Sequence, residues 1–89
     1  MCCTAAELVS WLPRALPDAS LTTEESSGRS VAEWTMGSLE LKWQTLPPRR
    51  IALLEVPQLE VVFTYLGFDE AQRYRIQKCF DLQTHRGGG

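Results

Sequence analysis

Residues 37–44 read Gly-Ser-Leu-Glu-Leu-Lys-Trp-Gln, and this stretch decides the fold class. Leu39, Leu41 and Trp43 alternate with Glu40, Lys42 and Gln44, so an extended chain here puts apolar groups on one face and polar groups on the other. That is the pattern of a half-buried antiparallel strand with one wet face. Upstream, Gly37-Ser38 reads as a tight turn, and Ala32, Trp34 and Met36 alternate with Val31, Glu33 and Thr35 in a second strand over 29–36. Ser26-Ser27-Gly28 is turn chemistry, and Leu21–Glu25 before it is a short polar strand candidate. Downstream, Pro47 and Pro48 have no N–H to give, which predicts the end of the ladder at Leu46. Ile51-Ala52-Leu53-Leu54 then reads as a dense apolar strand in the middle of the sheet. After a bend at Val56-Pro57-Gln58, the alternation of Leu59, Val61, Phe63 and Tyr65 marks the last strand. Connections this short favour a meander, because parallel neighbours need a crossover of roughly a dozen residues.

Helices are predicted at both ends. Thr4 with Glu7 is a capping-box pair, and Ala5, Leu8, Val9, Leu12 and Leu16 form an apolar stripe after it. Pro13 lies inside that stripe and predicts a kink or an end near Leu12. Gly67 ends the strands, Asp69 and Gln72 form a second capping pair, and residues 70–83 run without breakers. The expected architecture is α+β: a four- to five-stranded antiparallel meander with both helices on one face. Trp34, Leu41, Trp43, Leu53 and Phe63 are the expected core face, and Glu40, Lys42, Glu60 and Thr64 the wet one. The chain reads as one domain over 1–83 followed by a tail at 84–89.

Composition excludes several classes of function. The 89 residues are 44% apolar and 22% charged, with a net charge of −2, which describes a globular chain rather than a disordered one. Binding to nucleic acid through bulk charge normally needs a basic excess that is absent here, so a nucleic-acid partner is not favoured. No apolar run approaches the roughly 20 residues of a membrane span, and no leader peptide is read at the start. The cysteines, Cys2, Cys3 and Cys79, are odd in number and two are adjacent, which argues against a disulfide framework and for a reducing, cytoplasmic setting.

Chemistry is sparse. His85 falls in the tail, without the fixed position and orienting partner a catalytic base requires. Cys2, Cys3, Cys79 and His85 lack the spacing of a structural zinc site. No catalytic residue, metal or cofactor is expected. Arg49 and Arg50 beside two stiff prolines form a candidate partner-binding loop, since guanidinium groups suit planar contacts with carboxylates or phosphates. The terminal Arg86-Gly87-Gly88-Gly89 resembles the carboxyl tails of ubiquitin-like modifiers and sulfur carriers, whose Gly-Gly ends thread into an activating enzyme. The resemblance covers the tail only. It implies an activated carboxylate at Gly89, whereas the helix expected just before it departs from the ubiquitin-like order. The leading expectation is a small non-catalytic protein-interaction or assembly module with an unknown protein partner, a homodimer through the sheet being one form of it. The alternatives are a carrier acting through the Gly88-Gly89 carboxylate and a weak single-stranded nucleic-acid binder using the Arg49-Arg50 loop and the last helix, with its Arg73, Arg75 and Lys78.

Overall fold

The computed structural model describes residues 1–84. Helix α1 (Ala5–Ala15) leads into strands β1 (Ser20–Glu24), β2 (Arg29–Glu33), β3 (Ser38–Ile51) and β4 (Leu54–Leu66), and helix α2 (Glu70–Thr84) follows. The strands form one antiparallel sheet in the order β1-β2-β3-β4, the expected meander with four strands.

Both helix starts are built as their capping pairs dictate. The Thr4 hydroxyl accepts from the Glu7 amide at 3.2 Å while Glu7 Oε1 accepts from the Thr4 amide at 3.0 Å. Asp69 Oδ1 accepts from the Gln72 amide at 2.7 Å, and Gln72 Oε1 returns the contact to the Asp69 amide at 3.0 Å. Pro13 does not end α1, which continues to Ala15. Proline removes only the hydrogen bond its own N–H would have made to Val9, and the burial of Leu12, Ala15 and Leu16 around it holds the last turn in place.

Register places Leu39, Leu41 and Trp43 opposite Tyr65, Phe63 and Val61, with Ala32 and Ser30 alongside on β2. This face meets Leu8 and Leu12 of α1 and Phe80 of α2 in a single core, so both helices cover the same side of the sheet. Phe80 stands edge-on to Phe63 with ring centroids 5.0 Å apart. Ser30 is the one buried polar side chain among the described residues, and it is satisfied by Thr23 Oγ1 at 3.0 Å and the Thr22 carbonyl at 3.3 Å. Tyr65 donates to Gln77 Oε1 at 2.6 Å. Its burial, helped by the negative charge of Asp81, pushes the phenol above its ordinary pKa.

Three local expectations are corrected. β2 stops at Glu33, and the chain turns over Trp34–Gly37, closed by the Trp34 amide donating to the Gly37 carbonyl at 2.9 Å. Trp34 therefore reaches the core edge from a turn. β3 does not end at Leu46 but runs through Pro47 and Pro48, and β4 runs through Pro57. The register shifts between Leu46 and Arg49, where Pro47 and Pro48 face the single Pro57. A two-against-one bulge leaves ladder positions without partners, so residues lacking an N–H are accommodated there. The third correction concerns Ile51–Leu54. This segment is not a central strand but the end of the β3–β4 hairpin, with Ala52 and Leu53 as its two-residue turn. Leu53, expected in the core, is completely exposed.

Candidate interaction surface

Pairing between β2 and β3 stops at Arg29 and Lys42, while β3 and β4 stay paired out to Ile51 and Leu54. The eight residues from Gln44 to Ile51 span roughly 26 Å of strand at about 3.3 Å per residue. The distal part of the hairpin is thus a two-stranded arm without a third strand beside it. At its base, the open edge of β4 is held by the chain start: the Met1 ammonium donates to the Leu59 carbonyl at 2.6 Å, and the Leu59 amide donates to the Met1 carbonyl at 2.8 Å. Beyond that point every residue from Pro47 to Glu55 is exposed.

The arm ends in apolar side chains: Ile51 is 51% exposed, Leu54 68% and Leu53 fully. Ala52 has φ 55°, the left-handed value that the first position of a primed hairpin turn requires. Glycine or asparagine is usual at such a position, and the absence of that signal is why the segment read as a strand. Arg49 and Arg50, the candidate partner-binding residues, lie on the arm, where as consecutive strand residues they project to opposite faces. Arg50 is engaged by Glu55 Oε1 at 3.1 Å across the hairpin, and Arg49 makes no hydrogen bond or ion pair among the described residues. The two guanidinium groups are therefore not brought together on one face of the arm.

The wet face of the sheet carries a charge cluster. Arg29 Nε donates to Glu40 Oε2 at 2.6 Å, with Glu24 3.7 Å from Arg29 and Lys42 3.8 Å from Glu40. The Arg29 hydrogen bond holds the Glu40 carboxyl below its ordinary pKa, outweighing the opposite effect of desolvation. With the folded value depressed, the stabilisation is complete above the ordinary carboxylate range and is lost as pH falls through the folded value. Thermal melts of wild type and Glu40→Gln should therefore differ most near neutrality and converge as pH falls through the depressed value of the folded carboxyl. A difference independent of pH would show that the carboxylate charge is not what Arg29 holds.

The remaining candidates are placed as follows. Trp43 is buried, and Trp11 and Trp34 are partly buried against the core at separate places, so the three rings form no continuous exposed stacking surface. Cys2 is exposed, Cys3 buried and Cys79 half-buried, and none of them forms a disulfide among the described residues. Among the described residues no group of three or more His, Cys, Asp or Glu is arranged to hold a metal ion. His85, Arg86, Gly87, Gly88 and Gly89 lie outside the described residues. No helix among the described residues is long and apolar enough to cross a membrane. No protein-family model, curated protein or solved structure matches the chain.

Proposed function

We propose that this is a non-catalytic protein-interaction module whose β3–β4 arm inserts its tip into an apolar groove on another protein. The observation that carries the reading is the complete exposure of Leu53 between the exposed Ile51 and Leu54, at the end of an arm that stands beyond the core. Exposed apolar side chains clustered at one place on a small domain mark an interaction site more often than a solvated loop. The unpaired Arg49 guanidinium beside them favours a groove with a carboxylate at its rim. An odd set of cysteines, two of them adjacent, fits a reducing compartment such as the cytoplasm.

A photo-crosslinking residue at position 53, introduced in the source organism, tests the reading. One discrete adduct is expected, absent when the same group replaces Thr22 on the wet face and lost when Ile51→Asp is added. Adduct mass separates a different protein from a second copy of this chain. Since Leu53 touches no core residue, Leu53→Asp should leave stability within about 0.5 kcal/mol of wild type while abolishing the adduct partner's binding. Equal labelling from positions 53 and 22 would remove the arm from consideration.

A further inference from the structure

On the helix-covered side of the molecule, well away from the arm in sequence, a cleft of about 200 Å³ opens between the C-terminal end of α1, the Trp34–Gly37 turn and α2. Leu16, Trp34, Met36 and Phe68 supply apolar walls, and Ile76 and Arg75 of α2 complete it. The walls are held in place. Trp34 Nε1 donates to the Pro17 carbonyl at 3.1 Å, and the Trp34 ring meets Phe68 edge-on with centroids 5.7 Å apart. Met36 is tied to α2 through Gln72 Nε2, 3.3 Å from its sulfur. Arg75 is the only charged residue in the lining, and its guanidinium makes no hydrogen bond or ion pair among the described residues.

Size and charge together define what could fit. A cavity of roughly 150 Å³ accepts a benzene ring, so this cleft has room for one ring and a few further atoms, not for a peptide or a nucleotide. Trp34 and Phe68, in edge-on contact with each other, form one aromatic wall against which a flat ring can pack. An unpaired guanidinium at the margin suits a carboxylate, which it can meet with two parallel hydrogen bonds. We propose that the cleft binds a small aromatic carboxylate, its ring against Trp34 and Phe68 and its carboxylate on Arg75.

Phenylacetate is the probe, titrated into the full chain while the Trp34 indole N–H resonance is followed by NMR. A saturable shift with Kd on the order of 1 mM or tighter is expected for a ligand of this size. The neutral isostere phenylacetamide should bind at least about tenfold more weakly, and Arg75→Gln should weaken phenylacetate by a similar factor while leaving the unliganded spectrum folded. The absence of saturation by about 10 mM would overturn the proposal. So would equal binding of phenylacetamide, or unchanged affinity in Arg75→Gln. The phenylacetamide comparison needs no variant, so it decides the role of charge even if the substitution disturbs α2.

Discussion

Phe80→Ala is expected to remove about 3–5 kcal/mol of stability, a large share of the roughly 5–10 kcal/mol available to a domain of this size. Phe80 is the one residue of α2 that is fully buried. Its ring fills the space beside Phe63 at 5.0 Å and shares the core with Leu8 and Leu12 of α1. The rest of the helix contributes little apolar contact, since Tyr74 and Leu82 are exposed and Ile76 only packs against the core margin. Truncation therefore leaves a cavity where the helix has no neighbouring anchor to close it, and the Tyr65–Gln77 hydrogen bond loses its support. Denaturant unfolding gives the magnitude. Amide exchange should show α2 opening before the sheet, because local stability follows buried contact. A loss below about 1 kcal/mol would mean that α2 is docked by something other than Phe80.

Gly28→Ala is expected to cost about 3 kcal/mol, from two separate effects. Gly28 closes the turn between β1 and β2 with φ 66°, and left-handed backbone is unfavourable for an L-residue by about 1–2 kcal/mol. A Cβ there would also stand 2.6 Å from the Trp43 carbonyl oxygen, well inside contact distance. The crowding matters because the Trp43 amide donates to the Gly28 carbonyl at 2.8 Å, joining the turn to β3 where the arm leaves the sheet. Chemical synthesis with D-alanine at position 28 separates the effects: the D-residue accepts positive φ and directs its methyl elsewhere. Recovery of most of the lost stability is expected. If L-alanine and D-alanine destabilise equally, neither backbone handedness nor the Trp43 contact explains the glycine.

These two sites differ in how visible they are beforehand. Gly28 follows two serines in a recognisable turn, so its position was readable even though its contact with Trp43 was not. Phe80 lies in a segment whose apolar residues spread around the helix, and nothing local singles it out from Tyr74 or Leu82. The choice among them is made by Phe63 on β4, which is opposite it only after the sheet has formed. The cleft beside Trp34 is likewise assembled from four separate segments of the chain. No spacing within one segment foreshadows it.

Local chemistry in the sequence determined both helix starts, the antiparallel meander and the face of β3 that is buried. Capping pairs act over three residues and strand alternation over two, so each can be read without knowing what lies beside it. The fate of the prolines and of Ile51–Leu54 was decided only in three dimensions. An apolar run of four is a core strand if neighbours cover it and an exposed tip if they end first. Here β2 stops pairing at Arg29, opposite Lys42, while β3 continues to Ile51, and the bulge at Pro47 and Pro48 lets it do so. Burial is a property of what the other strands do, and for the arm that information lies in residues distant from it in sequence.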